Sequence, residues 1–483
     1  MSHADTNSSP GEGAPVEIPT RGRLTIWTWA VMIAVGGFLF GFDTGVVSGA
    51  LLFIKTSFHL DPFEQGTIVS VLLLGAMAGA LLAGRIADRL GRKKAYGLEG
   101  LVFLIGTALA VFATGYPMLL VARVVLGLAV GAASATVPTY LGEIAPAAVR
   151  GRVLTVNQLM ITIGIMVAYL VNVAFSSSGN WRAMFGVGAV PALVMLVGAF
   201  WALPESPTWL LTNRRVDQAR QVFSRVAGDR GGDRLVAERQ RGIQEQRARQ
   251  TGKAEVGWRG LMSAAVRPAL VVGVVLAATQ QLGGINTIIY YAPSIMERTG
   301  LTTSNSIAYS VAIGVINLVM TVVAIWIVGR IRRRSLLLFS VAVMVVTLVV
   351  MGLSFVSAWS PALSLVVMVV YIAGFAVGMG PLFWVLIGEI FPPNARATGS
   401  SAATAVNWTS NFIVSLVFLS VVEAVGLGQT FWIFAVICGF ALWFIGRYVP
   451  ETKDREFPAI NADLQTRFGR TEPDEAAQTQ PTA

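Results

Sequence analysis

Residues 336–357 read LLLFSVAVMVVTLVVMGLSFVS, an apolar stretch without a charged side chain. A helix of this length crosses the hydrocarbon core of a bilayer, which is about 30 Å thick. The strands of membrane barrels need only about ten residues, and irregular backbone cannot face lipid, so the stretch predicts a transmembrane α-helix. This segment alone indicates a membrane protein.

The same pattern recurs along the whole chain and predicts twelve transmembrane helices. Of the 483 residues, 54% are hydrophobic and 13% are charged, whereas about a quarter are charged in an ordinary soluble domain. The apolar segments fall near residues 25–54, 66–84, 96–114, 118–137, 154–175, 183–203, 268–294, 305–328, 336–357, 362–388, 399–424 and 429–447. The predicted fold is therefore an all-α membrane protein, and an even number of helices places both termini on one side.

Basic residues are distributed unevenly between the two sides. Of the 36 Lys and Arg residues, 32 lie in the terminal regions and in the loops after even-numbered helices. Lys55, Arg182 and Arg298 lie in the opposite loops, and Arg123 lies inside a helix. The positive-inside rule then predicts cytoplasmic termini. The net charge of +10 indicates topology and attraction to anionic lipid headgroups rather than nucleic-acid binding.

Composition divides the chain into five parts. A polar N-terminal stretch predicts a disordered cytoplasmic tail, two six-helix halves flank a charged cytoplasmic linker, and a cytoplasmic tail ends the chain. In order, these parts are residues 1–24, 25–212, 213–267, 268–448 and 449–483. Apolar residues recur at helical spacing in the linker and predict an amphipathic helix there: Val216, Ala219, Val222, Phe223 and Val226. A solvated, merely connecting linker is the alternative.

The two halves repeat three motifs in the same order. GEIAP at 142–146 is echoed by GEIFP at 388–392, and PESP at 204–207 by PETK at 450–453. The basic turn DRLGRK at 88–93 is answered by GRIRRR at 329–334. These echoes indicate an internal duplication. Two parallel six-helix halves with a substrate held between them near the bilayer midplane form a transporter architecture.

Together the motifs resemble those of the sugar porter family of the major facilitator superfamily, over nearly all of residues 25–455. The matching stretches are GFLFGFDTGVVSGA at 37–50, GRIADRLGRKK at 84–94, PTYLGEIAPAAVRGR at 138–152, PESPTWLL at 204–211, QQLGGINTIIYYAP at 280–293, GPLFWVLIGEIFP at 380–392, NWTSNF at 407–412 and PETK at 450–453. The resemblance implies sugar transport by alternating access. An ATP-driven pump or enzyme is not indicated, since the sequence contains no GxxxxGK[ST] phosphate loop.

Asp43 lies in the middle of the first helix, where an ionisable group costs about 2.5–3.5 kcal/mol and needs a partner. Arg123 in the fourth helix is the matching basic residue. The resemblance implies that Asp43 is the proton-coupling site and pairs with Arg123, because non-coupled facilitators commonly carry a neutral residue there. A static ion pair that joins helices 1 and 4 is the alternative.

The resemblance also implies a sugar site. Amide side chains suit sugar hydroxyls because each offers a donor and an acceptor, and an aromatic ring suits the apolar sugar face. The implied residues are Gln158, Gln280, Gln281, Asn286, Tyr290, Asn317, Trp384 and Asn407. Trp384 is the expected aromatic platform, beside a helix break at Gly380-Pro381. Interhelical hydrogen bonding is the alternative role for each amide, and packing alone the alternative for the tryptophan.

Charged residues of the cytoplasmic motifs resemble an interdomain latch that pairs across the two halves when the inside is shut. The implied members are Asp88, Arg89, Arg92, Glu143, Arg150, Arg333, Glu389 and Arg396. The second basic turn departs from the pattern, because Gly329 stands where an acidic residue is expected and Arg332 where a glycine is expected. Ala376 stands where some facilitators have a glutamate.

We expect proton-coupled import of a monosaccharide across a bacterial plasma membrane, by a multi-pass protein that works as a monomer. Apolar Ile165 and Ile289 beside the site favour a hexose over a pentose or inositol. A passive facilitator and a non-transporting sugar receptor are the alternatives. The proton is the expected coupling ion and no cofactor is expected. Cys438, His3 and His59 offer no metal site.

Overall fold

The computed structural model describes residues 18–251 and 257–469, and all regular secondary structure in these ranges is helical. A short 3-10 helix at Trp258–Met262 accompanies eighteen α-helices. The first half contains α1 (Thr20–Phe58), α2 (Pro62–Leu90), α3 (Arg92–Val111), α4 (Tyr116–Ile144), α5 (Ala147–Ser176), α6 (Trp181–Gly186) and α7 (Ala189–Trp201). Two helices follow, α8 (Pro207–Thr212) and α9 (Val216–Thr251). The second half contains α10 (Arg267–Leu282), α11 (Ile285–Glu297), α12 (Thr303–Ile327), α13 (Arg333–Val356), α14 (Pro361–Val377), α15 (Met379–Glu389), α16 (Arg396–Val425) and α17 (Leu427–Tyr448), and α18 (Phe457–Arg467) comes last.

Twelve stretches of the described residues are long and apolar enough to cross a membrane. The sixth span consists of α6 and α7, the seventh of α10 and α11, and the tenth of α14 and α15. The prediction of twelve helices in an all-α fold is confirmed.

The seventh and tenth spans break at glycines. Gly284 has a φ of 94°, a region that favours glycine, and a Cβ there would lie 2.5 Å from the ring of Phe434. The tenth span breaks at Gly378, slightly before the predicted break at Gly380-Pro381. Pro381 lies in the first turn of α15, where a proline does not interrupt a helix. Backbone groups released at such breaks must find other partners inside the protein. Accordingly, the Tyr371 hydroxyl donates to the Gly283 carbonyl at 2.8 Å.

Contacts between the two halves lie toward one end of the bundle. We call the end with the loops after even-numbered spans the basic face, and the other end the opposite face. Near the opposite face, Gly66 of α2 packs against the backbone of Leu416 on α16, and a Cβ on it would lie 2.1 Å from the Leu416 carbonyl oxygen. Deeper in the bundle, Gly314 of α12 packs against Tyr169 of α5, whose hydroxyl donates to the Ile289 carbonyl at 2.8 Å. The halves are therefore closed together at the opposite face.

Helix α1 begins at Thr20, so residues 20–24 are helical although the sequence places them in a disordered tail. The reason lies in the linker, because Gly22 packs so tightly on α9 that a Cβ would lie 1.7 Å from the Val226 carbonyl oxygen. The rest of the predicted N-terminal tail, residues 1–17 with His3, lies outside the described residues. Residues 252–256 of the predicted linker and 470–483 of the C-terminal tail lie outside them as well.

Much of the predicted linker is helical in α9, which bends at Gly228, where φ is 68°. Four of the five predicted apolar residues, Ala219, Val222, Phe223 and Val226, are buried. Val216 is 40% exposed because it is the first residue of the helix, so it is not part of the packed face. The buried face indicates that α9 packs against the membrane helices rather than merely connecting them.

The first half depends on close backbone packing between α2 and α4. A Cβ on Gly131 would lie 1.9 Å from the Ala76 carbonyl oxygen, and small residues are what allow helices to approach so closely. We expect Gly131→Ala to destabilise the protein by about 1–3 kcal/mol, because the clashing atom belongs to the backbone and cannot turn away. Thermal unfolding of the purified protein in detergent measures this.

Gly84→Ala on α2 is the matched control, because nothing lies within 4 Å of a Cβ at Gly84. The control should keep or slightly raise the unfolding temperature, since alanine favours a helix by about 0.5–1 kcal/mol over glycine. Equal stability of the two variants would contradict the packing argument.

Candidate functional site

Asp43 and Arg123 form an ion pair deep inside the first half. Nη1 of Arg123 lies 2.8 Å from Oδ1 and 2.9 Å from Oδ2 of Asp43. Asp43 is 2% exposed and Arg123 is 1% exposed. The pair joins α1 to α4, the two helices that the sequence places together.

The surroundings of the pair satisfy the arginine further and bring in the second half. Nε of Arg123 donates to the Ile68 carbonyl at 3.0 Å, and its guanidinium lies 5.8 Å from the centre of the Phe185 ring. Tyr290 of α11 lies within electrostatic reach of both charges and beside Asn411. Breaking a buried pair on one side leaves a bare buried charge, which costs about 3–5 kcal/mol. Separating these two side chains therefore carries a cost of this size unless one of the charges is neutralised or finds another partner.

Four of the predicted sugar-site amides form one cluster, which we call the amide cluster: Gln280, Gln281, Asn286 and Asn407. Nε2 of Gln281 donates to Oδ1 of Asn407 at 3.1 Å, and Nδ2 of Asn407 donates to Oε1 of Gln280 at 2.6 Å. Nδ2 of Asn286 donates to Oε1 of Gln281 at 2.7 Å. The cluster joins the seventh and eleventh spans.

The amide cluster lies at the broken helices. Gln281 lies two residues before the break of the seventh span at Gly283-Gly284. Nε2 of Gln280 donates to the Met379 and Gly380 carbonyls at the break of the tenth span, both at 3.2 Å. Interhelical hydrogen bonding, the alternative role, is thus present in this conformation. The same groups offer several donors and acceptors near a flexible joint, which is what a polyhydroxyl ligand requires.

The other four predicted sugar-site residues lie outside this cluster. Asn317 lies one turn after Gly314, on the face of α12 that packs against α5. Gln158 is exposed and lies on the same face of α5 as Tyr169. Tyr290 lies nearer the ion pair. Trp384 is 48% exposed and its ring packs on Phe383, so in this conformation it is not a platform over the amides.

Two buried polar residues were not predicted from the sequence, one near the amide cluster and one on α3, away from the site. Asn411 is buried one turn after Asn407, and the i, i+4 spacing in NWTSNF was the signal that could have identified it. Glu99 is 5% exposed inside α3, and an acidic residue within the third apolar segment was its signal. Asp43 and Arg123 are therefore not the only ionisable groups buried in the spans.

At the basic face of the first half, Arg92 and Glu143 form a bidentate pair. Nε and Nη2 of Arg92 lie 2.9 and 3.0 Å from the two carboxylate oxygens of Glu143, and Nη1 lies 2.8 Å from Asp88. Glu205 accepts the backbone N–H of Arg92 at 2.7 Å and thereby caps α3, while the Ser206 hydroxyl donates to Glu143 at 2.6 Å. The three repeated motifs thus meet in one charge cluster.

The second half builds the same cluster from the echoed motifs. Arg333 pairs with Glu389, and Glu451 accepts the backbone N–H of Arg333 at 3.0 Å. Gly329 stands where Asp88 supplies a third partner in the first half, and Arg333 donates instead to the Thr452 hydroxyl at 3.3 Å. The two clusters are therefore unequal, as the departure in sequence suggests.

These charges do not bridge the two halves in this structure. Among the residues that the structure describes, every ion pair at the basic face joins side chains of one half or of one terminal segment. Arg89 and Arg396 are exposed, and Arg150 has a buried Nε without a partner. The physical reason is that the halves meet at the opposite face. The predicted latch thus stays a prediction for a conformation in which the basic face is closed.

The linker adds a further contact at the basic face. Arg239 of α9 donates to the carbonyl groups of Glu143 and Ala145 at 3.1 and 3.2 Å, at the end of α4. Burial, together with the nearby charge of Arg150, lowers the pKa of Arg239. The linker helix therefore caps α4 with a cation, which the dipole of a helix C-terminus favours.

One ion pair between the described residues does join the two halves, and it lies at the opposite face. Nζ of Lys55 at the end of α1 lies 2.6 Å from Oε2 of Glu297 at the end of α11. The Thr303 hydroxyl donates to the other oxygen of Glu297 at 3.0 Å. Both charged side chains are about one-third exposed. This pair reinforces the closed opposite face.

Comparisons with known proteins match this chain to sugar transporters over most of its length. The family model described as "Sugar (and other) transporter" matches residues 29–464. A D-xylose transporter of Levilactobacillus brevis is 39% identical over 441 residues, which cover 90% of this chain and 95% of that protein. The galactose-proton symporter of Escherichia coli (strain K12) is 38% identical over 439 residues, which cover 90% of this chain and 93% of that protein.

A solved structure matches the fold over almost its whole length. The partially occluded inward open conformation of the xylose transporter XylE from E. coli has a TM-score of 0.78 and 28% identity. The match covers 89% of this chain and 99% of that chain.

The Lys55–Glu297 pair predicts a measurable bias toward the closed opposite face. Reversing either charge, as Lys55→Glu or Glu297→Lys, should lower the closed population by up to about fivefold, since partly exposed pairs contribute about 0–1 kcal/mol. The double reversal should restore it. Spin labels at Ser178→Cys and Ser304→Cys, in a Cys438→Ser background, report the distance between the halves.

Arg220→Glu is the matched control, because Arg220 pairs with Asp233 inside the linker helix and joins no two halves. A distance distribution that is identical in the single reversals and in the parent protein would contradict the role of the pair.

Proposed function

The chain belongs to the sugar transporter family of the major facilitator superfamily, and from that premise we propose that it imports a monosaccharide together with a proton. The observation that carries the proposal is the buried Asp43–Arg123 pair. A buried carboxylate with a single cationic partner is a group whose protonation changes what its partner can do. Proteins of this family transport and are not enzymes.

The mechanism is a switch in which ionised Asp43 holds Arg123. When Asp43 takes up a proton, the attraction is lost and Arg123 keeps only the Ile68 carbonyl and the Phe185 ring as partners. The arginine is then free to repack while the sugar-loaded halves rock about the bound substrate. The empty carrier returns only after Asp43 has released its proton, because Arg123 pairs with the ionised carboxylate.

The driving force is sufficient for accumulation. One charge that moves down a potential of 100 mV releases about 2.3 kcal/mol. At about 1.4 kcal/mol per factor of ten, this sustains roughly fifty-fold accumulation of sugar. A uniporter gains nothing from a titratable group at Asp43, and the relative named a galactose-proton symporter supports coupling.

We assign sugar binding to the amide cluster with Gln158, Asn317, Tyr290 and Trp384. Bound sugar replaces hydrogen bonds that the amides now make with one another, and Trp384 closes over the sugar as the basic face shuts. We favour a hexose because Ile165 and Ile289, which we expect beside the sugar, are apolar and buried. The named relatives include a D-xylose transporter and a galactose-proton symporter, so the family accommodates both pentose and hexose.

The basic face is assigned to the cytoplasm, with both termini inside and the opposite face outside a bacterial plasma membrane. The assignment rests on the excess of Lys and Arg at that face. The protein works as a monomer, because each monomer contains both halves and the route between them, and it needs no cofactor apart from the coupling proton.

Asp43→Asn should abolish accumulation and retain exchange. Asparagine resembles the protonated carboxyl but cannot release a proton, so the variant should equilibrate labelled sugar across a proteoliposome membrane without concentrating it when a pH gradient is imposed. Asp229→Asn in the exposed part of the linker is the control and should accumulate like the parent protein. Accumulation by Asp43→Asn equal to that of the parent would leave a static ion pair as the role of Asp43.

Gln281→Ala should weaken sugar binding by about 5- to 150-fold, which corresponds to about 1–3 kcal/mol for an unsatisfied buried partner. Titration calorimetry with a panel of hexoses, pentoses and inositol measures this loss and identifies the substrate. Gln429→Ala, an exposed amide outside the cluster, should bind normally. Parent-like affinity of folded Gln281→Ala for every sugar would remove the amide cluster from the binding site.

A further inference from the structure

Glu99 is a buried carboxyl that the transport mechanism does not use. It lies on α3, seven residues after the helix begins at Arg92, and hence about 10 Å along the helix from the basic face. It is 5% exposed, and its Oε2 is buried without a hydrogen-bond partner. The coupling pair is remote, because Arg123 lies about 20 Å along α4 from Thr136, the residue beside Glu99.

Glu99 lies in a part of α3 that packs on apolar residues. On α7, Ala199 packs against the nearby Gly97 and Met195 against the adjacent Gly100, and one turn further along α3 Phe103 is buried. On α4, the Thr136 hydroxyl lies beside the carboxyl and is itself buried without a hydrogen-bond partner. The carboxyl and the hydroxyl therefore lie side by side, and among the described residues Oε2 of Glu99 has no other hydrogen-bond partner.

No cation compensates the carboxyl. Among the residues that the structure describes, no Lys or Arg forms an ion pair with Glu99. Tyr96 on the same helix donates its hydroxyl to the Met32 carbonyl of α1, and Tyr140 of α4 faces Tyr96. The charged groups of the helices packed on α3 lie elsewhere. Arg123 of α4, Glu64 of α2 and Arg182 of α6 lie toward the opposite face, where Arg182 donates to the Ala113 carbonyl past the far end of α3. Glu143 of α4 and Arg85, Asp88 and Arg89 of α2 lie near the basic face, and α7 carries no charged residue.

An isolated carboxylate in such surroundings costs several kcal/mol more than the neutral acid. The group avoids that cost by holding a proton. A metal ion would need more oxygen ligands than one carboxyl and one hydroxyl supply, and the described residues contain no cluster able to hold one. Asp43 differs, because Arg123 compensates its charge in full contact.

We propose that Glu99 is a second proton-binding site, separate from Asp43, which holds its proton at neutral pH and shares it in a hydrogen bond with Thr136. The added proton removes the uncompensated charge, and the neutral acid and the Thr136 hydroxyl then serve each other as donor and acceptor. In unfolded protein Glu99 ionises in water at acidic pH, whereas the folded protein retains the proton. The folded form therefore binds one proton more across that range, and its stability falls as pH rises.

Infrared spectroscopy of the full-length purified protein detects the proton directly. We expect a protonated-carboxyl stretch at neutral pH that is present in the parent protein and in Asp43→Asn, and absent from Glu99→Gln. The measurement needs no sugar and no transport, so it fails or succeeds independently of the proposed function. Absence of any Glu99-dependent band at neutral pH would overturn the proposal.

The pH dependence of thermal stability provides the second readout. Glu99→Gln has the shape of the protonated acid and should match the parent at mildly acidic pH. It should exceed the parent as pH rises, because only in the parent does unfolding release a proton. A Glu99→Gln protein that is less stable than the parent by the same amount at every pH would show that Glu99 works as a charged group, and would overturn the proposal.

Discussion

A charge inside the helical bundle must be compensated or removed, and this constraint organises the rest of the structure. Asp43 satisfies it with Arg123, whose Nε donates to the Ile68 carbonyl and whose guanidinium lies over the Phe185 ring. Among the described residues Glu99 has no such partner, and in our proposal it satisfies the constraint by holding a proton. One half of the molecule thus contains two carboxyls in different protonation states, because one has a cation in contact and the other has a hydroxyl. Only the first can couple a proton to a movement of its partner.

The two faces use charge in different ways. At the basic face the ion pairs lie within each half, where they tie the repeated motifs into rigid units. At the opposite face one pair, Lys55–Glu297, connects the halves. Partly exposed pairs of this kind contribute little individually. That small contribution suits a carrier whose closed states must have similar free energies, since a strong latch would hold it in one of them.

Sequence reasoning succeeded where a physical rule acts on a short stretch of chain. The twelve helices follow from apolar runs, and the pairing of Asp43 with Arg123 follows from the scarcity of charges at that depth. Other features depend on the three-dimensional conformation and do not follow from short stretches of sequence. The latch residues pair inside their own halves because the basic face is open, and Trp384 is exposed for the same reason. The hydrogen bonds of the amide cluster join side chains to residues about a hundred positions away, at the breaks of two spans. Glu99 is surrounded in sequence by apolar residues, so its segment is predicted simply as a span.

Sugar-induced charge movement tests the central claim most directly. Proteoliposomes that contain the parent protein are adsorbed on a solid-supported membrane and exposed to a jump in sugar concentration without an imposed pH gradient. If Asp43 carries a proton with each sugar, the jump produces a current in the direction of sugar entry and the external medium becomes more alkaline. Sugar entry without current and without a change in external pH would contradict proton coupling and leave passive transport as the function.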